Sequence, residues 1–168
     1  RVLFRSRKPG HGSAAIAANI AALGANNQRT LLLDCSFQDR GIHKFYKVEA
    51  TPGLSDVMMG NAKLGEAIRH LSPQFHFLSG GGATNYGAHM LQHRLFVDIL
   101  KEFAKSYRQI VIYYPGLRED MVSSNFIQYV GSIAFVVSAG ETVERMRRFL
   151  SGFRHLANVK GIILDDVR

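Results

Sequence analysis

Short, fully apolar runs alternate along the chain with longer stretches whose apolar positions recur at helical spacing. Val2 to Phe4, Thr30 to Leu33, Phe75 to Leu78, Gln109 to Tyr114, Ser132 to Ser138 and Gly161 to Leu164 read as strands. Runs such as LLL, IVI, IAFVV and GIIL show no polar alternation, so both faces of these strands must be covered, as in a parallel sheet between helices. Helices are predicted at Ser13 to Gly24, within Cys35 to Thr51, twice between Leu54 and Leu71 with a break at Gly60, then at Ala88 to Ser106, Met121 to Val130 and Glu141 to Ala157. Strand and helix in turn predict an α/β fold: a doubly wound, mostly parallel sheet with helices on both faces, in three layers. Residues 1–168 read as a single domain with one sizeable core, and a first strand that starts at once without a Met predicts a missing N-terminal segment.

The first strand, loop, helix and strand, Val2 to Asp34, carry the candidate chemistry. Pro9, Gly10 and Gly12 force a turn, and the helix that follows is so rich in Ala that it can lie close against a sheet. Its N-terminal amides point back at the loop, where an anion would sit. A P-loop reads GxxxxGK[ST], its Lys reaching the β and γ phosphates and its hydroxyl holding magnesium. Aligned on Gly12, the Lys position is Ser13 and the hydroxyl position is Ala14. The backbone half of a phosphate cradle is present and the side-chain half is replaced.

Further segments extend the pattern. PGHGSAAIAANIA resembles the PGxGKSTxxxNLA opening of bacterial tyrosine kinases, the cytoplasmic partners of polysaccharide chain-length regulators, within the larger family of MinD/ParA-type partition and division-site ATPases. LLLDCSF resembles the family's LLIDADL, with Asp34 kept and Ser36 at the second acid. GLSDVMMGN resembles GLSDVLxG, FLSGGGATNYGAHML resembles LxxGxxPPNPxELL, YRQIVIYYPG resembles YDxIIIDTPP with Tyr113 at the magnesium-water Asp, and GIILDDV resembles GVVLNxV. The resemblance implies a P-loop ATPase core whose vestigial nucleotide- or anion-binding set is Lys8, Gly10, His11, Gly12, Ser13, Ala14 and Asp34, with acidic positions lost at Ser36 and Tyr113.

Losing one preorganised electrostatic partner costs roughly 2.7–4 kcal/mol of transition-state stabilisation. With Ser13, Ala14, Ser36 and Tyr113 all replacing such partners, the expectation is a chain with no catalytic residues and no metal, a pseudoenzyme acting by protein–protein contact in exopolysaccharide or capsule synthesis and export. No cofactor is expected; weak ATP, ADP or phosphate binding without magnesium stays open. The resemblance further implies a membrane polysaccharide copolymerase or export protein as partner, and association with copies of itself or with an active paralogue. It places the chain in the cytoplasm at the inner face of the bacterial inner membrane. The Tyr113 ring would plug the magnesium volume, and its hydroxyl carries no formal charge near neutral pH.

Two other readings compete. Gly10, Gly12 and Ala15 satisfy the dinucleotide fingerprint GxGxxA with Asp34 as ribose acid, although Arg5 to Pro9 make the loop too wide for it. Lys8, where partition ATPases place a signature Lys, could serve a nucleotide-binding regulator without hydrolysis.

Charge and composition narrow the remainder. A formal charge of +8 favours anionic partners, and an Arg cluster at Arg145, Arg147, Arg148 and Arg154 adds to it. Nucleic acid is not expected, since no helix-turn-helix or exposed aromatic platform is visible. No run approaches the ~18 apolar residues of a membrane span. The single Cys excludes an internal disulfide. Ser79 to Gly82 form a second Gly loop, read as a tight crossover before an anion site, and His89 and His93, four residues apart, read as surface histidines before a metal pair.

Overall fold

The computed structural model describes residues 2–6, 11–37, 41–115, 126–138, 142, 144, 147, 151 and 159–165. The strands are β1 (Val2–Ser6), β2 (Thr30–Asp34), β3 (Ile68–His70), β4 (Phe75–Leu78), β5 (Gln109–Tyr113), β6 (Ser132–Ser138) and β7 (Val159–Asp165). They form one sheet in the order β3-β4-β2-β5-β1-β6-β7. Every neighbouring pair is parallel except β3 with β4. The helices are α1 (His11–Ala25), α2 (Gly41–Phe45), α3 (Leu54–Met58), α4 (Leu64–Ala67), α5 (Gly87–Gln92) and α6 (Arg94–Ser106).

The apolar runs are buried on both sides, as expected. Leu31, Leu33, Ile110 and Ile112 face one core with Phe96, Leu100 and Phe103 of α6. Leu32, Val111, Phe77 and Tyr113 face the other, against Ala14, Ala17, Ala18 and Ala21 of α1. The small side chains of α1 let its backbone approach the sheet closely. At Gly24 an added Cβ would overlap the Gln109 side chain at the start of β5.

Two predicted helices come out differently. The stretch ending at Leu71 yields α3 and α4 but then extends into the edge strand β3, whose residues pair with β4 as Ile68↔Leu78, Arg69↔Phe77 and His70↔His76. Three residues are too few to show a period of two, and pairing with β4 overrides the local pattern. The single helix predicted from Ala88 to Ser106 divides into α5 and α6, because His93 takes an extended backbone conformation and its Nδ1 accepts the Leu95 N–H at 3.2 Å as an N-cap. A 3₁₀ turn at Ile127–Tyr129 falls within the helix predicted from Met121, the first part of which lies outside the described residues. Most of the helix predicted at Glu141 to Ala157, including Arg145, Arg148 and Arg154, also lies outside them.

Candidate functional site

In an open parallel sheet, ligands gather at the carboxyl ends of the strands. Here the carboxyl ends of β2 and β5 meet the N-terminus of α1. Gly12, Ser13 and Ala14 lie in the first turn of α1, and Ser13 and Ala14 are buried. Lys8 and Gly10 lie outside the described residues, and for His11 only its place at the start of α1 is described. Asp34 ends β2 in register with Tyr113 at the end of β5, and the Cys35 N–H donates to the Tyr113 carbonyl at 2.8 Å.

The structure brings Ser13, Ala14 and Tyr113 together. The Ser13 and Tyr113 hydroxyls lie 3.4 Å apart in a buried contact. Tyr113 is 2% exposed and packs in the α1-facing core with Ala14, so its ring fills space beside the helix N-terminus. Asp34, also buried, accepts the Ser36 N–H on Oδ1 at 2.8 Å. Leu31 and Leu33 pack in the opposite core, so alternation along β2 leaves Asp34 on the α1 side with Leu32. Ser36 Oγ is buried and has no hydrogen-bond partner. Such an orphan hydroxyl is unfavourable by about 1–3 kcal/mol.

The neighbouring Cys35 is not a nucleophile of this site. Burial, with the Asp34 carboxylate adding to it, pushes its thiol well above the ordinary value. Thiolate is the reactive form, so a thiol held protonated is inert.

The donor chemistry suits an oxyanion better than a divalent cation. Magnesium requires a near-octahedral oxygen shell, commonly with one or two carboxylates. Here Ala14 offers a methyl group and Tyr113 a phenol where the P-loop pattern places two of its contacts. Among the described residues no group of three or more His, Cys, Asp or Glu is disposed to hold a metal. The helix N-terminal amides, by contrast, are suited to phosphate oxygens.

The other sequence candidates resolve as structural. In the second Gly loop, Asp56 Oδ2 accepts N–H groups from Gly53 at 2.7 Å and Gly82 at 3.3 Å. Ser55 N donates to the Gly80 carbonyl and Ser55 Oγ to the Gly82 carbonyl. Gly81 has φ +84°, and a Cβ there would meet Ser55 and Asp56. An internal carboxylate thus takes the place an external anion would occupy, and the tight-crossover reading holds. Sequence reasoning missed Asp56, although its position three residues after Gly53 is the spacing of a capping box. His89 and His93 do not share a helix, since His93 caps α6.

A second unpredicted cluster lies at the opposite, amino end of the strands. His76, buried on β4, places Nδ1 2.7 Å from the Tyr107 hydroxyl and stacks on His70 with ring centroids 4.0 Å apart. Arg29 lies over the Tyr107 ring at 5.2 Å. Burial, then the charges of His70 and Arg29, lowers the His76 pKa below its ordinary value.

Topology settles the dinucleotide alternative. In the Rossmann order the strand after the first helix neighbours the first strand. Here β5 lies between β1 and β2, so Asp34 is one strand too far away for the ribose role. A strand inserted at this place in an otherwise parallel sheet, with β3 antiparallel at one edge, defines the class: the fold is that of P-loop ATPases of the MinD/ParA type.

Within that class the relatives are bacterial tyrosine-protein kinases. The chain is 23% identical over 164 residues to the tyrosine-protein kinase ptk of Acinetobacter johnsonii, covering 95% of this chain and 22% of that protein. It is 26% identical over 171 residues to the succinoglycan biosynthesis transport protein ExoP of Rhizobium meliloti, covering 98% of this chain and 22% of ExoP. The crystal structure of the VpsO kinase domain superposes with a TM-score of 0.87 at 24% identity, over 99% of this chain and 84% of that one. The chain therefore spans about a quarter or less of the length of such curated relatives as ptk and ExoP. No protein-family model matches it.

These relatives correct one expectation from sequence. The chain was expected not to be an enzyme, yet its relatives are named as tyrosine-protein kinases, which are enzymes. The physical reason is that losses at residues acting as a unit do not add. Replacements at Ser13, Ala14, Ser36 and Tyr113 therefore cannot be summed into a demonstration of inactivity.

Proposed function

We propose that the chain is a phosphate-binding P-loop domain of a tyrosine-kinase-type protein that serves exopolysaccharide synthesis and export. In this reading it works at the inner face of the bacterial inner membrane, beside a membrane polysaccharide copolymerase or export protein, and associates with further copies of itself or a paralogue. The observation that carries the ligand half is the meeting of the α1 N-terminus with Ser13 and Tyr113 at the carboxyl edge of the sheet. The pathway half is supported by similarity to a protein named for succinoglycan biosynthesis transport and to tyrosine-protein kinases. Among the described residues no helix is long and apolar enough to cross a membrane. The net charge of +8 assists approach to an anionic surface.

The test is deletion in the native host followed by complementation. Secreted high-molecular-weight polysaccharide should fall on deletion and recover with the wild-type gene. Unchanged polymer yield and length on deletion would contradict the pathway assignment.

A further inference from the structure

We propose that the amino edge of the sheet, the end opposite the phosphate site, is a docking surface for a bilayer of anionic phospholipid. This rests on the membrane-face reading above and deepens it, naming the lipid and the side of the domain that meets it.

Topology collects bare cations on this edge. Arg29 precedes β2 and Arg108 precedes β5, neighbouring strands that begin in register at Thr30↔Gln109. The Arg108 N–H donates to the Arg29 carbonyl at 3.0 Å, which holds the two backbones side by side. Lys160, second in β7, lies at the same end, three strands from β5 or roughly 14 Å along the edge. All three side chains are exposed, and none has a carboxylate partner among the described residues. Lys105, in the last turn of α6, adds a cation that Glu102 pairs at 2.6 Å. Other acids lie at the opposite end: Asp34 ends β2, Asp165 ends β7 and Asp56 holds the second Gly loop. The C-terminal dipoles of α1 and α6 reach this edge too, but at about half a charge each they leave most of the positive charge in place.

The surroundings favour lipid over nucleic acid. Cations spread along the edge of a sheet, rather than lining a groove, suit a flat array of phosphate headgroups. Leu23, in the last turn of α1, is 65% exposed, and its carbonyl accepts the Asn26 N–H at 3.2 Å in the turn that leads to Arg29. An exposed Leu beside cations suits the boundary between headgroups and acyl chains. Bases would instead need an aromatic face to stack on. Tyr107, next to Arg108, is buried, with the Arg29 guanidinium over its ring at 5.2 Å. Seated on this edge, the domain turns its carboxyl edge and the N-terminus of α1 away from the bilayer, which leaves the phosphate site open.

Cosedimentation of the chain with vesicles of phosphatidylglycerol mixed into phosphatidylcholine, and with vesicles of phosphatidylcholine alone, tests this. Binding is expected to the first and not to the second, and it should fall as salt is raised. Arg108→Gln with Lys160→Gln, which leaves the Arg29 contact with Tyr107 in place, should weaken binding about 25-fold, at roughly fivefold (~1 kcal/mol) for each cation removed. Lys63→Gln with Arg94→Gln removes the same charge at the carboxyl end, where α4 and α6 begin, and should leave binding nearly unchanged. No binding to the phosphatidylglycerol vesicles, equal binding to both kinds of vesicle, or equal losses in the two double variants would overturn the inference. So would duplex DNA or single-stranded RNA that displaces the chain from the vesicles. None of these results touches the pathway reading, which fails only if deletion leaves the polymer unchanged. The wild-type arms decide the matter even if a variant fails to fold.

Discussion

At the scale of single residues, Ser36 and Tyr113 make opposite demands on stability and binding. An unpartnered buried hydroxyl destabilises the unliganded protein, so Ser36→Ala should raise unfolding stability by about 1 kcal/mol, read by urea denaturation. A loss of stability would mean that Ser36 Oγ has a structural partner in solution. Tyr113 is the converse case, since its ring fills core volume beside Ala14 and its hydroxyl reaches Ser13. Tyr113→Phe should therefore fold normally while weakening phosphate binding. The identities of these residues were legible in the sequence, because alignment on Gly12 and Asp34 places each at a motif position. Their contact was not legible, as a hydroxyl pair 100 residues apart in sequence leaves no local signal. The orphan state of Ser36 was equally hidden, because satisfaction of a polar atom is decided by tertiary neighbours.

At the scale of elements, the second Gly loop is held by one carboxylate. Asp56→Ala would leave the Gly53 and Gly82 N–H groups without their acceptor and should cost about 1–3 kcal/mol in urea unfolding. Pyrophosphate binding at α1 should persist in that variant; its loss would tie the two loops into one site. The edge pair β3–β4 carries a pH dependence. The folded state lowers the His76 pKa, so the unfolded chain binds the proton more readily. Stability should be full above the ordinary His value of 6.5 and decline as pH falls below it, through the lowered folded value. Thermal melts across this range should show the decline, and His76→Gln should reduce it; an unchanged slope would remove His76 as the cause. Helix α1 and the central strands were readable from Ala content and apolar runs. The division of α5 from α6 and the edge strand β3 were not, because a histidine cap and a three-residue pairing depend on groups distant from the local period.

At the scale of the whole molecule, the doubly wound architecture followed from strands with no polar alternation, each of which needs cover on both faces. The strand order could not follow from that pattern, and it is the order, with β5 between β1 and β2, that separates this fold from a dinucleotide-binding one. The expectation that the chain is not an enzyme failed at this scale too. It inferred an activity of the whole from four side chains, whereas the relatives that share this domain are named as kinases. The most direct test of the account is a crystal structure of the chain grown with ADP. The account predicts the β-phosphate at the N-terminus of α1. Nucleotide seated elsewhere, or no nucleotide at α1, would contradict it.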